Sequence, residues 1–136
     1  MGRFSRKTKA GWYDYETGKP VPNEKVEAII VETSTAKGVE RCNFSGDEIV
    51  SRIMAAIVNE AALLLGEGIA ARASDVDIVL VNGYGFPKLK GSPLHWAANE
   101  PREEFLAAVD AVAEASGHGI GRAVNLKEVL KEAEAL

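Results

Sequence analysis

Cysteine and histidine are scarce in this chain of 136 residues, which has one cysteine, Cys42, and two histidines, His95 and His118. A single cysteine excludes an intrachain disulfide, and so few sulfur and nitrogen donors exclude a histidine/cysteine metal cluster. A chain without disulfides suits a reducing compartment, and we predict the cytoplasm. The residues also predict no metal site.

Long apolar runs and a strongly basic composition are missing as well. No run approaches the roughly 18 uninterrupted apolar residues of a membrane span, and the basic start lacks the apolar segment of a signal peptide. The net charge of −4 argues against nucleic acid as a partner. Four cations near the start are either a solvated tail or a contact for a phosphate-bearing ligand: Arg3, Arg6, Lys7 and Lys9. A helical DNA-binding domain has no support beyond them.

The composition is that of one domain that can bury a hydrophobic core, since 46% of the residues are hydrophobic and 26% are charged. Residues 1–22 are polar and interrupted by glycine and proline, so we predict an extended arm whose aromatic side chains pack onto another surface. These are Trp12, Tyr13 and Tyr15. Beyond them, apolar residues recur at helical spacing and strand signals are almost absent. We predict an all-α fold, with a single helical domain over residues 23–136.

Capping residues indicate where the helices begin. Asn23 is the predicted cap of a first helix, and Ser45 with Glu48 reads as a capping box for a long second helix that ends at Gly66 and Gly68. Pro93 is predicted to start a short helix. Three further caps are predicted at Ser74, Asn99 and Asn125, and Pro101 is placed in the first turn after Asn99.

The long helix carries an apolar stripe that predicts a central position in the fold. The stripe consists of Ile49, Ile53, Ile57 and Leu64, widened by Val50, Met54, Ala61 and Leu65. Glu60 follows this stripe, where burial would make it a candidate acid or base. The alternative is that Glu60 and Asn59 cap backbone groups of a neighbouring loop.

Other polar residues can also be interpreted as either catalytic or structural. Asp75 and Asp77 are either paired catalytic carboxylates or capping groups in the first turn of a helix, and their position favours capping. The glycine-rich segment 117–121 lacks the spacing of a dinucleotide-binding loop, and no strand precedes it. His95 and Cys42 lack the partners of a nucleophilic site. The residues therefore predict no catalytic group.

Three motifs follow one another along the chain. Residues 6–15 read R-K-T-K-A-G-W-Y-D-Y; V-N-E-A, E-G-I-A and S-D-V-D follow at 58–61, 67–70 and 74–77; and G-Y-G-F-P stands at 83–87, six residues before Pro93. In this order they resemble the L-3-hydroxyacyl-CoA dehydrogenase family, specifically the carboxy-terminal helical region of multifunctional fatty-acid oxidation enzymes. The resemblance covers roughly residues 3–98.

The resemblance implies a helical domain of the 6-phosphogluconate dehydrogenase C-terminal-like class. The family's dinucleotide-binding domain and its catalytic histidine–glutamate pair match nothing in these residues, so NAD is implied for the full-length family enzyme and no cofactor for this chain. Where the family's first repeat has I-V-N-R, this chain has I-V-S-R with Ser51. Gly91-Ser92 and Ala98 or Asn99 also depart from the pattern. These departures indicate the second, degenerate repeat, which braces the first.

The implied role is that of a domain or fragment of a β-oxidation dehydrogenase, not catalytic alone, which supports dimerisation or domain packing and the acyl-CoA side of the site. The candidate residues on that side are Ser51, Asn59, Glu60, Tyr84, Phe86 and Pro87. A repeat without its neighbour would expose apolar surface, so we predict a homodimer or packing against a dehydrogenase domain. The alternative is a freestanding assembly or acyl-CoA-binding module that works with a separate dehydrogenase.

Overall fold

The structure is a computed structural model that describes residues 2–116 and 121–135. The described residues form six α-helices: α1 (Glu24–Ala36), α2 (Gly46–Gly66), α3 (Ala73–Gly83), α4 (Pro93–Ala98), α5 (Arg102–Ser116) and α6 (Leu126–Glu134). Two single turns of 3₁₀ helix occur at Arg6–Thr8 and Lys88–Lys90. The all-α prediction is confirmed. Most of the glycine-rich segment, including His118, lies outside the described residues.

The chain divides into two compact units, Met1–Asn43 and Phe44–Leu136. The first unit contains the arm and α1, and the second contains α2 to α6. The predicted domain boundary after residue 22 stays a prediction.

Within the first unit, hydrogen bonds to Asp14 fold the arm back on itself. Arg3 donates from Nη2 to Asp14 Oδ1 at 2.7 Å, and Asn23 donates from Nδ2 to Asp14 Oδ2 at 2.6 Å. These two donors, Asn23 first, lower the pKa of Asp14 below its ordinary value of 3.8. The amide of Asn23 also caps α1 through its oxygen, which accepts from Lys25 N and Val26 N, as predicted. Arg3 is therefore an ion-pair partner and not part of a solvated tail.

The core of the second unit lies where α2 packs against α3, α4, α5 and α6. The largest fully buried side chains are Leu94, Leu126, Leu130, Val58, Val109 and Pro93. Helix α6 buries the face that its spacing predicts, because only one of its sides is apolar. That face consists of Leu126, Val129, Leu130 and Ala133.

Helix α2 has two apolar faces, and it buries the one with the smaller side chains. The buried inner face consists of Met54, Ala55, Val58, Asn59, Ala61 and Ala62. The outer face, on the opposite side at 100° per residue, consists of Ile49, Ile53, Ala56, Ile57, Glu60 and Leu64. Ile49 is 46% exposed and Ile53 52% exposed. The predicted central position of α2 is confirmed, because α2 packs against α3, α4, α5 and α6. The core nevertheless lies against its alanine-rich side, and the stripe through these two isoleucines is left about half exposed.

By length and composition alone α2 is also long enough and apolar enough to cross a membrane, and a third of its most apolar window is buried inside the fold. Core helices of water-soluble domains meet the same criteria. The absence of a membrane span stays a prediction.

The capping prediction for α2 is confirmed, and the one for α3 is wrong. The box at the start of α2 is present: Glu48 N donates to Ser45 Oγ at 3.2 Å, and Ser45 N donates to Glu48 Oε2 at 2.8 Å. The cap predicted at Ser74 is wrong, because α3 begins at Ala73 with Arg72 at the cap position. Arg72 instead forms an ion pair with Asp75 at 2.6 Å.

Two asparagines use their side chains differently from the prediction. Asn99 lies three residues before α5 and donates from Nδ2 to His95 O at 2.8 Å, so the predicted cap of α5 is wrong. Asn125 does occupy the cap position of α6, but its side chain donates to Ala62 O at 2.8 Å and forms no cap. Its amide therefore ties α6 to the inner side of α2.

Candidate functional site

The structure distributes the six candidate residues over four places in the second unit. Ser51 is half-buried on α2 and lines a groove between α2 and α5. Glu60 is exposed and lines a second groove, between α2 and α3. Asn59 is buried beneath the chain that leads into α6, and the remaining three candidates lie in the turn after α3. They do not form one catalytic cluster.

The α2–α5 groove has a volume of about 510 Å³ and a mostly apolar lining. Its floor on α5 is built from small residues, namely Ala108, Ala111, Val112 and Ala115. Its α2 side carries Ser51, Glu48 and Arg52. The guanidinium of Arg52 lies 4.2 Å from the centre of the Phe44 ring, a cation–π contact that holds the side chain near the groove. The arrangement combines an apolar floor with one cation.

Glu48 is occupied by the start of its own helix. The backbone hydrogen bond from Ser45 is the main cause that lowers the pKa of Glu48 below its ordinary value of 4.5, and the charge of Arg52 contributes less. A carboxylate engaged in this way is a cap and not a free base. The groove therefore offers binding and orientation and shows no nucleophile activated by a base.

Asn59 uses both ends of its amide to hold the backbone of another segment. Its Nδ2 donates to Gly121 O at 3.1 Å, and its Oδ1 accepts from Ala123 N at 2.8 Å. This is the loop contact that the alternative interpretation predicts for Asn59. Glu60 makes no such contact: it points outward, and the described residues provide it with no hydrogen bond or ion pair.

Asp77 is a buried carboxylate whose role the sequence did not reveal. It is 5% exposed, accepts from Ser92 Oγ at 2.5 Å and Leu94 N at 2.8 Å, and lies 3.3 Å from His95 N. These donors lie at the start of α4, so Asp77 caps α4 and not its own helix. Asp75 faces Arg72 instead. The two aspartates therefore have separate partners and do not form a catalytic pair.

The G-Y-G-F-P turn brings α4 back to Asp77. Gly85 has a φ of 74°, which other residues rarely adopt, and Phe86 N donates to Leu80 O at 3.3 Å. Phe86 packs partly against the core, whereas Tyr84 is 80% exposed and Pro87 is exposed. The turn thus reverses the chain and presents Tyr84 to the outside.

The first unit has a pocket of its own, of about 450 Å³, which the sequence did not predict. It is lined mainly by the arm aromatics and the start of α1: Trp12, Tyr13, Tyr15, Pro22, Asn23, Val26, Glu27 and Ile30. The arm has a further internal contact, since the Arg6 guanidinium lies 5.7 Å from the Tyr15 ring centre. The predicted packing of these aromatics is thus partly within the arm and α1.

Metal ligands are not clustered in the described part of the chain: residues 2–116 and 121–135 contain no group of three or more His, Cys, Asp or Glu side chains arranged to hold a metal ion. Cys42 is exposed. His95 Nε2 lies 3.5 Å from Asn99 Nδ2, within its own helix turn. Nothing in this geometry builds a nucleophilic site.

Comparison with known proteins identifies relatives of the chain, although no protein-family model matches it. The chain is 37% identical over 103 residues to a peroxisomal bifunctional enzyme of Homo sapiens, covering 72% of this chain and 14% of that enzyme. It is 30% identical over 115 residues to a peroxisomal bifunctional enzyme of Danio rerio, covering 81% and 16%. A peroxisomal fatty acid beta-oxidation multifunctional protein of Oryza sativa subsp. japonica is 37% identical over 101 residues, covering 71% and 14%. The chain thus spans about a seventh of the length of these relatives.

Proposed function

Since this chain belongs to the family of the peroxisomal bifunctional enzymes, as a homologue of one region of them, we propose that it is a helical, noncatalytic domain of a fatty-acid β-oxidation enzyme of the 3-hydroxyacyl-CoA dehydrogenase type. Its proposed work is to brace the assembly and to shape the acyl-CoA side of a site whose catalytic groups other domains supply.

The observation that carries the bracing role is the outer face of α2. A helix that is apolar all round is normally covered on all sides, and large exposed apolar patches mark interaction surfaces. Here the inner face fills the core, while Ile49 and Ile53 of the outer face are about half exposed. We therefore propose that the outer face packs on a partner surface, either a dehydrogenase domain or a second copy.

The acyl-CoA role rests on the α2–α5 groove, where Ser51 lies at the position of the family's asparagine. An apolar floor suits an acyl chain, and the Arg52 guanidinium suits an anionic group of the ligand. The other five candidates lie elsewhere, so Ser51 is the one we retain for this groove. The freestanding acyl-CoA-binding module remains the second candidate, because the same groove would serve it.

Ile53→Asp tests the bracing role. A charge in the outer face should abolish association without unfolding the chain, because Ile53 is not part of the core. Light scattering at high micromolar concentration would measure the mass of the wild type and of the variant. Val124→Asp is the matched control, since Val124 is fully exposed in the turn before α6. Equal masses for wild type and Ile53→Asp, both alone and with a dehydrogenase domain, would contradict the role.

The acyl-CoA role needs its own measurement. A thermal-shift titration with CoA esters should raise the melting temperature of the wild type, and Arg52→Gln should reduce the shift. Following NADH oxidation with acetoacetyl-CoA should give no rate above background. An enzyme-dependent rate would refute the noncatalytic assignment.

The cellular location stays a proposal. We propose the cytoplasm on the reducing character of the composition, whereas the relatives carry the name peroxisomal. Fractionation followed by immunodetection of the chain would decide between the two compartments.

A further inference from the structure

The arm pocket, the cavity of about 450 Å³ in the first unit, combines three aromatic side chains with one charged side chain. The aromatic ones are Trp12, Tyr13 and Tyr15, and the charged one is Glu27 of α1. Trp12 is 72% exposed and Tyr13 45% exposed, so both rings are open to a ligand. The faces of aromatic rings carry negative potential. The rings and the carboxylate therefore attract the same kind of group, a cation.

Glu27 is available to such a ligand, because it is exposed and its carboxylate makes no hydrogen bond or ion pair with residues 2–116 or 121–135. Asn23, which also lines the pocket, is engaged at both ends of its amide: it donates to Asp14 and accepts from two backbone N–H groups of α1. In a mostly apolar lining, a primary ammonium would leave N–H donors without acceptors. A quaternary ammonium has no N–H group, and its methyl groups pack against rings.

The fold itself holds the aromatic segment against the start of α1. Asp14 stands between Tyr13 and Tyr15 in the sequence, and its backbone exchanges two hydrogen bonds with Val21, at 2.8 and 2.9 Å. Its carboxylate accepts from Asn23, the cap of α1, at 2.6 Å. A site organised by the fold loses less conformational entropy when a ligand binds. The arm pocket therefore meets the structural requirement for a small-molecule site.

The ring of Tyr15 already attracts a cation of the chain. The Arg6 guanidinium lies 5.7 Å from its centre, and Arg6 does not line the pocket. Trp12 has no such contact within the described part of the chain, and an indole is the strongest cation–π partner among the aromatic side chains. Trp12 is therefore the ring on which binding of a cation should depend most.

We propose that the arm pocket binds a quaternary ammonium group, whose methyl groups contact the rings of Trp12 and Tyr13 and whose charge is offset by Glu27. The volume of the pocket leaves room for the head group and a short tail. This inference goes beyond the proposed function and does not rest on it, because all the lining residues belong to the unit Met1–Asn43.

Nuclear magnetic resonance of the full chain tests the site, because the chain has only two tryptophans. Choline should shift the indole N–H signal of Trp12 with a dissociation constant of about 1 mM or below. The signal of Trp96, which packs against Phe105 in the second unit, should stay in place. The matched ligand control is the uncharged carbon analogue of choline, in which a tert-butyl group replaces the trimethylammonium. It should bind about tenfold more weakly, because it has the shape without the charge.

Variants separate the ring from the carboxylate, with affinity measured by isothermal titration calorimetry. Trp12→Leu should weaken choline binding about tenfold, and Trp12→Phe should retain part of the affinity because it keeps a ring. Glu27→Gln should weaken binding about threefold, as expected for one exposed charge pair. Glu24→Gln is the matched control, since it removes an exposed carboxylate of the same helix outside the pocket and should leave the affinity unchanged. Circular dichroism would verify that each variant is folded.

The source of the ammonium group is distinguished by a second ligand, acetyl-trimethyllysine amide. Tighter binding of this ligand assigns the group to a protein side chain, and tighter binding of choline assigns it to a free small molecule. Equal affinity for choline and its carbon analogue overturns the proposal, as does a shift at Trp96 alone or no shift at all. Unchanged binding in Trp12→Leu overturns it as well. None of these results bears on the outer face of α2, which Ile53→Asp tests separately.

Discussion

The two faces of α2 are both apolar, but they differ in the size of their side chains and in what their polar groups contact. The inner face has three buried alanines, and its one polar side chain, Asn59, has both ends of the amide hydrogen-bonded. The outer face has three isoleucines, and its one carboxylate, Glu60, has no partner among the described residues. The inner face is thus a completed interface, whereas the outer face has the composition of an interface without its second half.

This difference separates folding from association. Small side chains allow α4, α5 and α6 to approach α2 closely, and close packing makes each inner position sensitive to change. Large side chains on the outer face offer more apolar area to a partner but contribute less to the folded chain, because they are still partly hydrated. Substitutions on the two faces should therefore affect different measurements.

The largest expected effect comes from a charge on the inner face. Val58 is fully buried, so Val58→Asp places an unpaired carboxylate in the core and should cost at least about 3 to 5 kcal/mol of unfolding free energy. Urea denaturation followed by circular dichroism would measure it, with Ile53→Asp as the outer-face comparison. The distinction between the faces fails if the two variants lose similar stability.

How much of this was predictable depends on the distance between partners in the sequence. The capping box of Ser45 and Glu48 was predictable because its members are three residues apart, and the buried side of α6 because that helix has one apolar side. Which face of α2 is buried could not be predicted, since the spacing of apolar residues does not distinguish between two apolar faces. The contacts of Asn59 with the segment before α6 span more than 60 residues and have no local signature.

A smaller effect should come from removing a carboxylate, either the buried Asp77 of α3 or the exposed Glu60 on the outer face of α2. Asp77 is buried and accepts hydrogen bonds from the start of α4, so Asp77→Ala leaves those donors unpaired and should cost about 1 to 3 kcal/mol. Glu60→Ala should leave the unfolding free energy almost unchanged, because Glu60 is exposed. The two variants would be compared by thermal unfolding. A large loss in Glu60→Ala would mean that the outer face already has a partner within the chain.

Asp75 and Asp77 lie two residues apart in α3 but have different partners. Asp75 lies beside Arg72 and reaches a partner three residues away. Asp77 lies toward α4, and its partners come within reach only after the G-Y-G-F-P turn reverses the chain. The turn motif could be recognised in the sequence, but the capping of α4 by Asp77 could not.

The smallest effect should come from the start of α2, which supports both faces equally. Ser45→Ala removes half of the capping box and should cost about 1 kcal/mol. The folded pKa of Glu48 is lowered, so the stabilisation that its ionised form provides is present above its ordinary pKa of 4.5 and is lost as pH falls through the lowered folded value. Glu48→Gln should therefore flatten the acid limb of the stability curve.

Acid titration of thermal unfolding would measure this limb for the wild type and for Glu48→Gln, with Asp47→Asn as the control at the neighbouring carboxylate. Because the cap lies at the helix end and away from Ile53 and Glu60, Ser45→Ala should lower stability while leaving the dimer dissociation constant within about twofold of the wild type. A large change in that constant would show that association depends on the whole helix and not on its outer face, and the separation of the two faces would then be lost.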